Sequence, residues 1–358
     1  MDQKVLYMII RPIKPYILDI FHVCALPSGF MWRTRWREKW LSDTVIQTEL
    51  KAGKKILIVV YDEENDLYYP VRWAEFVAKY EVGKIYRFDF YVRDFVSFES
   101  SSKYVNKQIK DFSDYFKDKN KYIVGPNVNV TDRKNVFITS DYSKIKNLTE
   151  KDGKTETEVE AWGNVTKKLA EIKEMEGKEF IKIVDFRTLN GKEVAIDKGR
   201  FILDSNQLYE IRILQHIYES SKLTDICKHE MVLQGPPEHV NILKKNATLV
   251  GKYDYISLKF KTLAMNKKEN SYIEVCTDNS HLDTYNSYNI ELPVCLNAVS
   301  KGKTIISLIL AALFAFVLVF NPTVFNLSEE TVEIIRILLI VTTMSASDAV
   351  SIFASKEN

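Results

Sequence analysis

The residues best suited to binding chemistry lie in one short stretch, SGFMWRTRWREKWL, from Ser28 to Leu41. It holds three of the five tryptophans of the chain, and four cations alternate with them. In a strand the rings fall on one face and the cations on the other, and in a helix the tryptophans, four residues apart, also align. Guanidinium groups match phosphate oxygens, and aromatic rings stack on bases. The pattern predicts a site for a nucleotide or single-stranded oligonucleotide, formed by Trp32, Arg33, Arg35, Trp36, Arg37, Lys39 and Trp40.

A structural role explains the same pattern, with the tryptophans in the core and the arginines solvated or paired with the acids of 62–66. Residues 1–60 carry 10 Lys and Arg against 5 Asp and Glu, whereas the whole chain has a formal charge of only +2. The near-neutral total gives no sign of a polyanion partner, so the argument rests on the local patch. The aromatic segment 86–98, with Arg87 and Arg93, is a hypothetical neighbouring wall of the site.

A second polar pattern occurs in a predicted helix from Glu329 to Ala354. Charges inside a membrane span cost about 2.5–3.5 kcal/mol each and usually face protein or water. Tight packing of small residues against the first helix would explain this polar pattern without a function. Another alternative is a helix that lies along the membrane interface instead of crossing it. The functional interpretation is a pore formed by several copies, with ion preference set by Arg336 and Asp348. The predicted lining residues are Glu333, Arg336, Ile340, Thr343, Ser347, Asp348 and Ser351.

These lining residues require a bilayer, which the preceding stretch predicts. Residues 304–328 form a run of 25 positions without a charge. About 20 helical residues cross a hydrocarbon core of about 30 Å, and a buried core helix rarely stays apolar on every face for so long. Asn321-Pro322 ends the first helix, and Ser328 is a suitable N-cap for the second. We therefore expect a transmembrane two-helix hairpin over 299–358.

The flanking charges predict the orientation of this hairpin. Lys301 and Lys303 precede the first helix and Lys356 follows the second, whereas the turn between the helices is acidic. Basic residues stay on the cytoplasmic side. The N-terminus shows no basic region followed by an apolar run, so no signal peptide is expected. We expect an inner (cell) membrane protein with a cytoplasmic body and C-terminus.

The body before the hairpin has the composition and alternation of a strand-rich protein. Hydrophobic residues make up 46% and aromatic residues 12% of the chain. Alternating runs such as GKIYRFDFYVRDFVSF predict half-buried strands, KKILIVVYD predicts a buried one, and Asn190-Gly191 predicts a hairpin turn. Helices are predicted at 100–121, in one or two turns at 72–83, and from Asn164 to Gly177. We expect a mainly β soluble region of two antiparallel β-sandwich or barrel-like domains, 1–120 as the ligand sensor and 121–298.

Catalytic and metal-binding motifs are missing from the sequence. The five histidines have no HExxH spacing, and no GxSxG, Walker or GxGxxG pattern occurs. The four cysteines include no CxxC pair, which argues against a zinc site or a dense disulfide framework. We expect a protein that is not an enzyme, with no catalytic residues, no metal and no cofactor.

The order of these parts, a cytoplasmic ligand-binding body followed by a short transmembrane segment, resembles the membrane effectors of bacterial antiphage defence systems. The resemblance covers domain order alone and transfers no residue. It implies a sensor of a nucleotide or oligonucleotide signal that gates an oligomeric pore or ion channel, with the bilayer and further copies of the chain as partners. The alternative is a membrane-tethered adaptor whose β domains bind another protein.

Overall fold

The computed structural model gives a mainly β protein with three sheets and three helices over the residues it describes. These are residues 4–13, 16–37, 50–98, 102–123, 138–141, 157–176, 178–217, 230–244, 246–248, 255–278 and 289–299. The predicted transmembrane hairpin and all of its pore-lining residues lie outside them. Among the described residues, no helix has the length and apolar character needed to cross a membrane.

The first sheet has six strands in the N-terminal part of the chain. They are β1 (Lys4–Ile10), β2 (Met31–Arg37), β3 (Lys55–Asp62), β4 (Leu67–Val82), β5 (Ile85–Phe95) and β6 (Ile138–Asp141). Their order is β2-β5-β4-β3-β1-β6, so β2 is an edge strand. Contrary to the antiparallel expectation, β1 and β3 pair in parallel, which the long connection between them allows. The division into domains at residue 120 stays a prediction, and β6 joins the sheet built by residues before it.

The two other sheets follow in the second half of the chain. Their strands are β7 (Glu179–Thr188), β8 (Ile196–Asp197), β9 (Arg200–Leu203), β10 (Leu208–Ile217), β11 (Glu230–Gln234), β12 (Val240–Lys244), β13 (Asn246–Thr248), β14 (Tyr255–Thr262), β15 (Glu269–Asp278) and β16 (Asn289–Leu296). One sheet has the order β12-β14-β10-β7 and the other the order β13-β11-β15-β16-β9-β8. The turn at Asn190-Gly191 follows β7, with Gly191 at φ 80°, as predicted.

The prediction of helical turns at 72–83 is wrong, because this segment belongs to β4. Trp73, Phe76 and Tyr80 have helix-like spacing, but backbone pairing with β3 and β5 on both sides decides the conformation. Two register shifts in the pairing with β5 interrupt the strict alternation. Tertiary pairing thus overrides the local pattern.

Three helices accompany the sheets, namely α1 (Ile17–Ala25), α2 (Ser102–Ile123) and α3 (Glu158–Leu169). Helix α2 confirms the amphipathic segment predicted there. The predicted start of α3 at Asn164 is wrong, because a capping box formed by Thr157 and Glu160 begins the helix earlier.

The chain groups into two compact units. Of the described residues, the larger unit takes those within 4–203, 207–263 and 270–295, and the smaller takes 204–206, 264–269 and 296–299. Within the smaller unit, the Asn297 amide donates to the Asp204 carboxylate at 3.0 Å. The buried charge cluster, the cavity and the hairpin described below belong to the larger unit.

Three charged side chains meet in the interior where α1, β4, α3 and β7 come together. The Glu158 carboxylate accepts from Lys182 Nζ at 2.7 Å and from Arg72 Nη2 at 3.2 Å. The side chains of Arg72 and Lys182 are 0% and 2% exposed, whereas that of Glu158 is 35% exposed. Both cations also lie over the ring of Phe95, at 4.1 and 5.1 Å from its centroid. We call Arg72, Glu158 and Lys182 the buried charge cluster.

Burial and charge attraction have opposite effects on the ionised forms of the cluster residues. Burial lowers the pKa of Arg72 to about 10 and that of Lys182 to about 8, although Glu158 favours both charges. Burial alone raises the pKa of Glu158, but the two cations outweigh it and hold that pKa below its usual value. One carboxylate therefore compensates two interior cations.

The cluster also fixes the segment between α1 and β2. Arg72 Nη1 donates to the carbonyl oxygens of Val23 and Leu26, each at 2.6 Å, which satisfies backbone acceptors at the end of α1. The backbone N–H of Ser28 donates to Glu158 at 3.2 Å. The start of β2 is thus held by the same charges that join the helices to the sheets.

We expect Glu158→Gln to lower the free energy of unfolding by about 3 kcal/mol, because two buried cations lose their carboxylate. Urea unfolding of the full chain in mild detergent, followed by tryptophan fluorescence, measures this. The control is Glu63→Gln, which removes an exposed partner of Arg11 at 3.7 Å and should cost less than about 1 kcal/mol. Equal losses in the two variants would show that the cluster does not stabilise the fold.

Candidate functional site

Strand β2 has the two faces that its sequence predicts. Trp32, Thr34 and Trp36 are buried, whereas Arg33 and Arg35 are exposed. The tryptophans belong to the core, as the structural alternative proposed. The indole N–H of Trp36 donates to the Thr34 hydroxyl at 3.0 Å, and that hydroxyl donates to the Asp19 carboxylate at 3.1 Å. Trp36 is therefore committed to a hydrogen-bond chain between β2 and α1.

A cavity of about 380 Å³ opens beside the first residues of β2. Its walls come from α1, β2, the first residue of β9, and strands β15 and β16. They are formed by His22, Leu26, Met31, Trp32, Arg33, Arg200, Asn270, Ser271, Tyr272, Ile290, Glu291 and Pro293. A volume of this size lies within the range of small-molecule sites, and half of the lining residues are polar or charged.

Two guanidinium groups line the cavity and differ in how far they are neutralised. Arg33 donates to Asp89 through Nε at 2.7 Å and Nη2 at 3.0 Å, and these bonds raise the pKa of Arg33. Arg200 donates from Nη1 to the side-chain oxygen of Asn270 and forms no ion pair among the described residues. Because each guanidinium carries five N–H donors, both retain donors for a ligand. Within the described part of the chain, Arg200 is therefore the cavity cation that has no ion-pair partner.

The indole of Trp32 borders the cavity, is almost completely buried and carries a buried donor. The ring is 2% exposed and stacks on Phe90 with the centroids 5.5 Å apart. Its N–H has no hydrogen-bond acceptor within the part of the chain that the structure describes. A buried donor without an acceptor costs about 1–3 kcal/mol, so an acceptor at this position would be stabilised.

Acceptors complement these donors on the other walls. His22 Nε2 lies against the carbonyl oxygen of Asn289, so Nε2 carries the hydrogen. Burial lowers the pKa of His22, which keeps the ring neutral and leaves Nδ1 as an acceptor. The Glu291 carboxylate also lines the cavity. The arrangement favours a ligand that combines anionic oxygens with hydroxyl or amino donors.

Arg200 reaches the cavity through a close backbone approach at Gly199. Met31 N donates to Gly199 O at 3.0 Å, so the turn before β9 is bonded to the free edge of β2. Gly199 has φ 72°, and a Cβ atom there would lie 2.6 Å from Met31 Cβ. Only glycine fits this position without displacing one of the two backbones.

The structure brings two of the predicted ligand-binding residues, Trp32 and Arg33, to the cavity. Trp36 lies in the core instead, and Arg35 is not part of the cavity lining. Arg37 ends β2, and only its backbone is described. Lys39 and Trp40 lie outside the described residues.

The sequence prediction missed the cavity residues that lie far from β2 along the chain. Arg200, Asn270 and Glu291 belong to no common sequence motif, and His22 has no metal-ligand spacing to another histidine. The glycine before Arg200, in a turn, is the single local signal of a close approach there.

Comparison with known proteins adds no assignment to this geometry: the sequence matches no protein-family model and no curated protein. Among the described residues, no group of three or more His, Cys, Asp and Glu side chains is arranged to hold a metal ion.

The Asp19 carboxylate next to β2 makes the fold sensitive to pH. Burial raises the pKa of Asp19 from 3.8 to about 7, against the opposing hydrogen bond from Thr34. The folded state therefore binds more protons than the unfolded chain between these pH values, and stability falls as pH rises through this window.

We expect Asp19→Asn, which cannot ionise and keeps an oxygen for Thr34, to be more stable than the wild type above pH 7. The difference should reach at least about 1 kcal/mol, the equivalent of one pKa unit, and shrink towards pH 4. Urea unfolding at several pH values compares the two proteins. A difference that does not vary with pH would contradict the raised pKa.

Proposed function

We propose that this protein is a ligand-sensing membrane effector, in which the β body binds a small nucleotide-like anion in the Trp32–Arg33–Arg200 cavity. The observation that carries the proposal is the guanidinium of Arg200, which has no ion-pair partner among the described residues and lines the same cavity as Trp32. A phosphate provides acceptors for guanidinium donors, a sugar provides hydroxyl donors for Glu291, and a base provides a flat ring.

The effector part of the proposal rests on the sequence of 299–358. Its uncharged run predicts a transmembrane hairpin, and its polar stripe predicts a pore assembled from several copies of the chain. The division of the β region into two sandwich or barrel-like domains belongs to the same proposal. Ligand binding would bias the pore by favouring one of two arrangements of the body.

The ligand site is tested by isothermal calorimetry on the full chain with mono- and dinucleotides as probes. We expect Arg200→Met to weaken binding 10- to 100-fold, because charged hydrogen bonds contribute about 1.5–3 kcal/mol. The matched control is Arg35→Gln, an exposed arginine on β2 outside the cavity lining. It should leave the affinity unchanged.

The opposite result would move the site. If Arg35→Gln abolishes binding and Arg200→Met does not, the exposed face of β2 is the ligand surface. If no nucleotide binds the wild type, the cavity does not serve this class of ligand.

The pore is tested separately by ion flux from vesicles that contain the purified chain. We expect the purified chain to be an oligomer in detergent. Ion flux should change when a nucleotide that binds the chain is added, and Asp348→Asn should alter the cation preference of the flux. A monomeric chain, or vesicles that stay impermeable with and without nucleotide, would leave the tethered adaptor as the remaining function.

A further inference from the structure

The β4–β5 hairpin carries an exposed face of mixed apolar and cationic side chains. Residues directly opposite each other in a sheet share a face. Val82 lies opposite Ile85 next to the turn. Two residues further along each strand, on the same face, Tyr80 lies opposite Arg87. Arg35 of β2 continues this second row beside Arg87. We call Arg35, Tyr80, Val82, Ile85 and Arg87 the hairpin face.

The apolar members of this face are exposed and lie next to one another. Tyr80 is 50%, Val82 57% and Ile85 40% exposed. Two adjacent rows of the same hairpin therefore leave apolar surface in water, although a structural role would bury it. The tight turn that brings the rows together has Gly83, at φ 61°, as its first residue, as a type II′ hairpin turn requires.

The face is positively charged, because it contains two arginines and no carboxylate. Arg35 and Arg87 lie directly opposite each other, which is repulsive. Neither side chain forms a hydrogen bond or ion pair within the described residues. The carboxylate in the next row, Asp89, is held by Arg33 in two hydrogen bonds. Two adjacent guanidiniums therefore remain available to external phosphate groups.

We propose that the hairpin face docks on the surface of an anionic lipid bilayer. Two residues along a strand span about 7 Å, so the Val82–Ile85 row lies about that much closer to the hairpin turn than the row of arginines. With the turn directed at the bilayer, this row inserts deeper than the arginines. Shallow insertion of apolar side chains by about 5–10 Å leaves cations at the depth of the lipid phosphates. Tyrosine is enriched at the same interface.

The composition of the face distinguishes a bilayer from single-stranded nucleic acid. Bases bind by stacking on aromatic rings, whereas the outermost row here is aliphatic. The uncharged run 304–328 of the same chain gives an independent reason for proximity to a bilayer. The proposal uses neither the cavity nor the pore, so it stands if either is wrong.

The test places a bimane label at Val82→Cys of the full chain, reconstituted into vesicles of neutral phosphatidylcholine or of a mixture with phosphatidylglycerol. Brominated lipids report insertion by quenching the label. The label at Leu189→Cys, an exposed residue of another turn, is the control, and unsubstituted protein corrects for labelling of native cysteines. We expect a blue shift and quenching at Val82 in the anionic vesicles and neither at Leu189.

Arg35→Gln with Arg87→Gln should reduce the docking equilibrium about 30-fold, from about 1 kcal/mol for each arginine near the surface. The corresponding double lysine variant should retain docking, since it keeps both charges. Thermal unfolding of each variant confirms that the fold is intact. Extraction with alkaline carbonate reports membrane anchoring separately. A chain that fails to anchor is therefore distinguishable from a chain whose hairpin face fails to dock.

Three results would overturn the proposal: no quenching at Val82 in anionic vesicles, quenching that does not depend on lipid charge, or a spectral change produced by single-stranded oligonucleotide in place of lipid. The last result would identify the face as a nucleic-acid surface.

Discussion

The rest of the fold depends on the compensation of Arg72 and Lys182 by Glu158 in the interior. Two cations without access to water are destabilising unless a carboxylate and backbone acceptors surround them. The partners of Arg72 include Glu158 and the carbonyl oxygens of Val23 and Leu26. Because these partners come from α1, the segment just after it and α3, the cluster joins both helices to strand β4. A hydrophobic replacement would remove the charges but would also release the end of α1 and the segment after it.

The cavity is a consequence of this anchoring and of the edge position of β2. Leu26 and His22 line it from the helix that the cluster holds, and Met31 begins the strand that follows. An edge strand has free backbone donors, and here one of them binds Gly199 instead of another full strand. The partial pairing brings Arg200 next to β2 without closing the space between the sheets. A pocket thus forms where one sheet ends and residues of another begin.

The sequence predicted the local features of this architecture better than the site. Alternation identified β5, and the amphipathic pattern identified α2, because each depends on neighbours along the chain. For β2 the spacing of rings and cations fitted a strand and a helix alike. The helix prediction for 72–83 is wrong because its residue spacing fits a helix, whereas backbone pairing with β3 and β5 makes the segment a strand. The contact of Arg200 with Asn270 has no local cause, so no pattern in the sequence could reveal it.

The arginine that the sequence emphasised is not the one best able to bind an anion. Asp89 is 3% exposed, and Arg33 satisfies it with two hydrogen bonds. A ligand that drew Arg33 away would leave a buried carboxylate unpaired, at about 3–5 kcal/mol, and would gain only about 1.5–3 kcal/mol from a charged hydrogen bond. Arg33 therefore keeps Asp89 and offers a ligand only its remaining donors. Arg200, with an amide as its partner, would give up little on binding a phosphate, so the proposed recognition of an anion assigns the main role to Arg200.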